Sequence, residues 1–289
     1  MQSVPKKSLV TNTGCFPLTC LINQNIYGHF LLNCSMSKNL NPNHIPGIYN
    51  YCDRWCERCS FTSCCAVYER TGNLSPEQSD VKNRAFWKNI STSFSEALIL
   101  LEEAAKQEGV DIKQLTDGEW EIYKRQQAAG RAKAKDHPII KHSRDYGIQT
   151  MAVLQKNELL KQQAAAIIQQ ADLGIKNTPD AKAELYKIAD CLEVVQWYVF
   201  QIQVKFMRAL PMMPGEAEDD NFKNDSNGSA KVALIAVDRC LNAWQKIFTI
   251  LPAAEDEIIP LLALLQKIRR IGEATFPDAR DFIRVGLDD

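Results

Sequence analysis

Apolar residues recur every three or four positions through most of the chain after residue 73. Between residues 76 and 108 they form a single stripe, made of Phe86, Ile90, Phe94, Ala97, Leu98 and Leu101. This 3.6-residue period is that of an amphipathic α-helix with one face packed inward. The alternation of apolar and polar residues that predicts β-strands does not occur in this region. The pattern therefore predicts an all-α fold.

Capping and breaking residues divide this region into four long helices and two shorter ones. The long helices are predicted at about 76–108, 138–171, 178–210 and 229–251, and the shorter ones at 117–134 and 255–271. Ser75 and Thr178, each followed by proline, indicate helix starts. The acidic residues 214–228 predict a loop, and residues 276–289 predict an extended surface tail. We expect a bundle of the four long helices with accessory helices packed outside it.

The chain divides into three regions of different composition. Residues 1–45 are predicted to be a disordered tail, and the alternative is that translation begins at Met36, so that residues 1–35 precede the true start. Residues 46–72 are rich in cysteine, and residues 73–289 form the predicted bundle.

The overall composition is that of an ordinary globular protein. Its 34 basic and 35 acidic residues give a net charge of -1, so no basic footprint for nucleic acid or an anionic membrane is present. The sequence contains no apolar run long enough to cross a bilayer. We therefore predict a cytoplasmic protein that binds neither nucleic acid nor membrane, and protein is the partner class that remains open.

Half of the ten cysteines lie within residues 51–68, YCDRWCERCSFTSCCAVY. Cys52, Cys56 and Cys59 have the spacing C-x3-C-x2-C, which places three thiols on one stripe if residues 53–58 are helical. Three thiolates in a row, with another cysteine a few residues later, are typical of a metal site. Disulfides fit poorly, because the cysteines are closely spaced, odd in number and preceded by no secretory signal.

The spacing favours an iron–sulfur cluster over zinc. Helical cysteines one turn apart have Cβ atoms about 5–6 Å apart, whereas the sulfurs around one zinc ion lie only about 3.8 Å apart. A cuboidal cluster provides a separate iron for each thiolate. The second C-x2-C pair of a typical zinc knuckle is also missing. We therefore predict a [4Fe-4S] cluster, with zinc as the alternative.

A resemblance to known cluster-binding segments selects the ligands. Cys56-x2-Cys59-x5-Cys65 resembles the C-x2-C-x5-C arrangement that holds [4Fe-4S] clusters in certain nucleases and in auxiliary domains of radical enzymes. This ten-residue resemblance implies Cys65, rather than Cys64, as the fourth ligand beside Cys52, Cys56 and Cys59. The triplet Cys52-x3-Cys56-x2-Cys59 is also similar to that of radical-SAM enzymes, but their βα barrel is incompatible with a helical chain.

A wider resemblance extends over the chain from about Met36 to its end. The segments IPGIYNYCDRWCERCSFTSCCAVYERTGN, ADCLEVVQWY and ALIAVDRCLNAW resemble an uncharacterised family of bacterial helical proteins with a CDRWCERC-type motif. That family implies no activity. The first hypothesis is therefore a metal-binding helical protein with a redox or sensing role. The alternative is a structural zinc knuckle on a protein-interaction module, and whether the chain is an enzyme stays open.

A third hypothesis is a carboxylate-bridged di-metal oxidase in the bundle. Asp190 and Glu193 lie three residues apart on one predicted helix, as the carboxylates of di-iron bundles do. The side chains that could complete such a site are His142, Asp145, Glu96, Glu102 and Glu103. The Glu-x-x-His pair of these proteins is absent, which favours an ordinary solvated helix face.

Overall fold

The computed structural model describes residues 41–72, 74–107, 117–156, 158–210 and 220–288. Within these ranges all regular structure is helical and no strand occurs, so the all-α prediction is confirmed there. Residues 1–40 of the predicted tail lie outside the described residues. The chain forms two compact units. The first contains Cys56–Asn89 and the described residues before Asn50, and the second contains Asn50–Trp55 and Ile90–Asp289.

The first unit contains the cysteine segment and short helices. Its 3₁₀ turns Cys56–Arg58 and Thr62–Cys64 precede two helices, α1 (Ala66–Gly72) and α2 (Pro76–Ser79). The start of α2 is capped as predicted, because Ser75 and Gln78 form a reciprocal capping box.

A single helix over 76–108 was predicted, but the structure contains two. Helix α2 ends at Ser79, because Asp80 is extended. Helix α3 (Arg84–Gln107) then begins anew. The side chain of Asn83 accepts a hydrogen bond from the backbone N of Ala85 at 3.0 Å, which caps this second start. A local turn with its own cap thus divides the predicted helix.

Seven further helices follow in the second unit. They are α4 (Asp117–Asp136), α5 (Pro138–Lys156), α6 (Glu158–Asp172), α7 (Thr178–Tyr198), α8 (Gln201–Ala209), α9 (Asp220–Ile250) and α10 (Glu255–Thr275). The predicted helix 138–171 corresponds to α5 and α6. The predicted helix 178–210 corresponds to α7 and α8, which a turn at Val199 and Phe200 separates. None of the described helices is long and apolar enough to cross a bilayer.

Helix α9 lies at the centre of the second unit. It packs against α7, α8 and α10, and α10 also packs against α5. The largest side chains without solvent exposure come from these helices, and they include Trp244, Tyr146, Tyr198, Phe206, Leu234, Ile247 and Leu265. Burial of these side chains is the main favourable contribution to folding of this unit.

The apolar face of α3 is not part of this core, although the sequence predicted that it packs inward. Phe94, Leu98 and Leu101 are each more than half exposed. Among the described helices, α3 packs closely against no other. An amphipathic pattern shows that a helix has one apolar face, but it does not identify what covers that face.

The predicted acidic loop 214–228 is wrong for residues 220–228, which form the first part of α9. Arg208 donates to Asp225 at 2.6 Å, and the hydroxyl of Ser226 donates to the carbonyl of Ala209 at 3.1 Å. The polar side chains that predicted a loop instead attach the start of α9 to α8. Residues 214–219 lie outside the described residues.

The C-terminal segment is not an extended tail, because it folds into turns against the bundle. Phe276 and Ala279 are buried. Phe276 stacks on Phe206 with ring centroids 6.1 Å apart, and Arg280 donates to Asp238 at 2.6 Å. These contacts explain why polar residues in this segment adopt a defined conformation.

Asp288→Asn is expected to lower the free energy of unfolding by about 1 kcal/mol at neutral pH. Asp288 contacts Lys231 at 2.8 Å and Arg284 at 2.6 Å. Burial would raise the pKa of this carboxyl, but the hydrogen bonds from Arg284 and Lys231 hold it well below its ordinary value of 3.8. The contribution of Asp288 is therefore present above that value and is lost as the pH falls through the lower folded pKa. Urea unfolding in acid should show a smaller pH dependence in the variant, and an equal dependence in both proteins would contradict this assignment.

Candidate functional site

The four cysteines predicted as ligands belong to different units. Cys52 lies in the second unit, whereas Cys56, Cys59 and Cys65 lie in the first. All four are thiols and are partly buried. The two other described thiols, Cys191 and Cys240, are buried in the bundle.

The cysteine segment is not the α-helix that the C-x3-C-x2-C spacing suggested. Arg54 has a φ of 60°, in the left-handed region that interrupts a right-handed helix. Within residues 52–59 the one helical turn is the 3₁₀ turn Cys56–Arg58. The proposed helical stripe of three sulfurs is therefore wrong. The backbone N of Phe61 donates to the sulfur of Cys59 at 3.4 Å, a contact that favours negative charge on that sulfur.

Cys64 differs from its neighbour Cys65. It is buried and disulfide-bonded, so the expectation that this segment contains no disulfide is wrong at this position. Its carbonyl accepts a hydrogen bond from the backbone N of Ile45 at 2.9 Å. Because the sulfur of Cys64 forms a disulfide, Cys65 is the first thiol after the pair Cys56 and Cys59.

In the part of the chain that the structure describes, no three His, Cys, Asp or Glu side chains form a group that could hold a metal ion. His44 instead contacts Glu69 at 2.9 Å in the first unit. Asp190 and Glu193 are exposed on α7 rather than directed into the bundle core. The structure therefore does not assemble the carboxylate site considered for the di-metal hypothesis.

The second unit contains a site that sequence analysis missed, in which an irregular segment lies on the bundle. We call Tyr51–Trp55 the strap. The hydroxyl of Tyr51 donates to Asp225 at 3.0 Å, and its ring packs edge-on against Phe282 with centroids 4.9 Å apart. A Cβ atom at Gly228 would lie 2.4 Å from the Tyr51 ring, so glycine allows this close approach.

Asp53 is the polar anchor of the strap. Its carboxylate accepts hydrogen bonds from Tyr198 of α7 and Arg239 of α9. Its backbone carbonyl accepts from the indole of Trp197 and the amide of Gln201, both at 3.1 Å. Three helices thus hold one residue of the strap.

The same contacts determine the charge states at this anchor. Burial would raise the pKa of Asp53, but hydrogen bonds from Tyr198 and the backbone of Trp55, with the charge of Arg239, lower it below the ordinary value. Burial and the hydrogen bond to Asp53 raise the pKa of Tyr198. Arg239 also lies 5.3 Å above the Tyr198 ring, in cation–π geometry. The phenol therefore stays a donor, and Asp53 stays an anion.

Trp55 is the apolar anchor of the strap and is 6% exposed. Its ring stacks on Trp197 with centroids 5.0 Å apart and makes a T-shaped contact with Tyr198, with centroids 5.8 Å apart. The strap thus contacts the bundle through every second residue, namely Tyr51, Asp53 and Trp55. The sequence signal for this site is the alternation of two aromatic residues around an acid.

Comparison with protein-family models, curated proteins and solved structures finds no match.

Cys52, between two anchors of the strap, lies within electrostatic range of Lys205. Burial and the neighbouring Arg208 lower the pKa of Lys205, and the electrostatic interaction of Lys205 with Cys52 partly offsets this effect.

A second candidate site is a cavity of about 310 Å³ between α9, α10 and the C-terminal turns. Its lining is polar apart from one leucine and consists of Asp238, Leu241, Asn242, Gln245, Gln266, Arg269, Glu273 and Arg280. Arg280 donates to both Asp238 and Glu273, at 2.6 and 2.8 Å. The opposite charges of the lining compensate each other, and this arrangement is that of a structural ion-pair cluster.

Proposed function

We propose that the cysteine segment binds an inorganic centre, a [4Fe-4S] cluster, and that the protein has a redox or sensing role. The proposed ligands are Cys52, Cys56, Cys59 and Cys65, assigned by their spacing along the chain. The observation that carries the proposal is that these four cysteines are partly buried thiols, whereas Cys64 is removed as a competing ligand by its disulfide. Zinc bound by the same thiolates is the alternative.

The strap supports this proposal by restricting Cys52 before any metal binds. Cys52 lies between Tyr51 and Asp53, which are both fixed to the bundle by hydrogen bonds. A ligand that is held in advance loses less conformational entropy on binding than one in a mobile loop.

A cation and an N–H donor lie near two of the proposed ligands. Lys205 interacts electrostatically with Cys52, and the backbone N–H of Phe61 donates to the sulfur of Cys59 at 3.4 Å. Four thiolates carry more negative charge than the iron core of a cluster offsets, so nearby cations and N–H donors stabilise the bound form. No described group of residues supports a particular reaction, so we propose metal binding without assigning catalysis.

Protein purified without oxygen is expected to contain about four iron and four sulfide per chain, with broad absorbance near 400 nm that dithionite bleaches. Cys59→Ser should lose the iron, because it removes one of four ligands. Cys240→Ala is the matched control, since it removes a buried thiol of α9 and should retain all the metal. Colourless protein with one zinc ion per chain would reject the cluster and support the zinc site instead. Protein that contains no bound metal, whether it is purified with or without oxygen, would reject both the cluster and the zinc site.

The fourth ligand is tested by changing the two adjacent cysteines separately. Cys65→Ser should lower the metal content as Cys59→Ser does, because its thiol is a proposed ligand. Cys64→Ser should retain the metal, because that sulfur is engaged in a disulfide. Equal metal loss in the two variants would contradict the choice of Cys65.

A further inference from the structure

Helix α3 carries an exposed apolar stripe. Trp87, Phe94, Leu98 and Leu101 are 60, 66, 60 and 55% exposed. Together with Ile90 they occupy an arc of about 80° on the helix, because successive residues are about 100° apart. Scattered exposed apolar residues are ordinary, but a continuous stripe of this kind marks an interaction surface.

The charges of α3 are divided between its two halves. Residues 84–95 contain the bases Arg84 and Lys88 and no acid, whereas residues 96–107 contain three acids and one base. Bases near the N-terminus and acids near the C-terminus are opposite to what the helix dipole favours. The stability of the isolated helix therefore does not explain this arrangement.

We propose that α3 pairs antiparallel with α3 of a second copy of the chain, making the protein a homodimer. Antiparallel pairing places the basic half of each helix beside the acidic half of the other, and the same surface serves both copies. The unfavourable charge order within one helix then becomes complementary across the interface.

The sequence of α3 fits the register in which the two helices overlap fully. Phe94 then faces Ala97 of the second copy, so a large side chain meets a small one. Ile90 faces Leu101, and Lys88 lies close to Glu102 of the second copy. Alternation of large and small residues allows two helices to interlock closely.

The size of the stripe determines the expected affinity. A helix of 24 residues is about 36 Å long, and a contact strip about 10 Å wide covers about half of the ~800 Å² per partner that standard interfaces bury. An interface of this size is typical of weak, transient association, so we expect a reversible dimer that forms at high protein concentration.

Analytical ultracentrifugation between about 1 and 200 μM should show the average mass rising from one chain towards two. Leu98→Glu should weaken dimerisation at least about tenfold, because it places a charge in the stripe. Ile99→Glu is the matched control. Ile99 is 56% exposed on the same helix but lies outside the stripe. A monomer at every concentration, or equal effects of the two variants, would overturn the proposal.

A charge exchange tests the antiparallel direction. Lys88→Glu should weaken the dimer about two- to fivefold, because it places like charges near each other, and adding Glu102→Lys should restore it. In a parallel pair Lys88 would lie near Lys88 of the other copy, so the second change would not restore binding. Failure of the double variant to recover would reject the antiparallel arrangement. Metal content is measured separately and does not enter this test.

Discussion

Phe206→Ala is expected to lower the free energy of unfolding by about 3–5 kcal/mol. Phe206 has no solvent exposure, and its ring stacks on Phe276 at the start of the C-terminal turns. A Cβ atom at Gly272 of α10 would lie 2.9 Å from this ring, so the packing around it is close. Removal of the ring loses apolar burial and leaves a cavity that the neighbouring helices fill only in part.

The matched control is Phe200→Ala, six residues earlier in the chain. Phe200 is 56% exposed, so its loss should change the free energy of unfolding by no more than about 0.5 kcal/mol. Denaturant titrations of the two variants measure the difference in the free energy of unfolding, provided that both variants have the same m-value. Similar losses in both would mean that the core of the second unit is not arranged as described.

Trp55→Ala is expected to lower the free energy of unfolding by about 3 kcal/mol and to loosen the C-terminal end of the strap. The substitution removes the stack on Trp197 and the contact with Tyr198. Hydrogen exchange of residues 50–55 should accelerate in this variant, because Asp53 alone then holds the strap near its C-terminal end. Exchange measured by mass spectrometry locates the effect.

Trp55→Phe separates aromatic stacking from the remaining contacts of the indole. The smaller ring retains part of the stack, so we expect a loss smaller than that of the alanine variant and slow exchange in residues 50–55. An alanine variant as stable as the unchanged protein, with unaltered exchange, would contradict an anchoring role for Trp55.

Local sequence patterns predicted the helices whose ends carry local signals. Helices α2 and α7 begin at their predicted positions, because the side chains of Ser75 and Asn177 cap them from the adjacent residue. The separation of α7 from α8 was not predicted, because neither Val199 nor Phe200 is a glycine or proline. The start of α9 was missed because its polar residues have partners on α8 and in the strap, far away in sequence.

The cysteine motif itself was visible in the sequence, but its conformation was not. Spacing suggested a helix, and the positive φ of Arg54 excludes one. The strap was missed because its hydrogen bonds join residues more than 140 positions apart, as between Asp53 and Tyr198. The disulfide of Cys64 likewise depends on proximity in space, which cysteine spacing does not report.

The sequence by itself determined that this chain is helical, where most helices lie, and where its cysteines cluster. These properties follow from side-chain periodicity and capping, which act within one or two turns of the backbone. Only the tertiary structure decided that α9 is central, that the apolar face of α3 is exposed and that the strap is held by three helices. Burial and long-range hydrogen bonds depend on which distant segments meet, and a local pattern contains no information about that pairing.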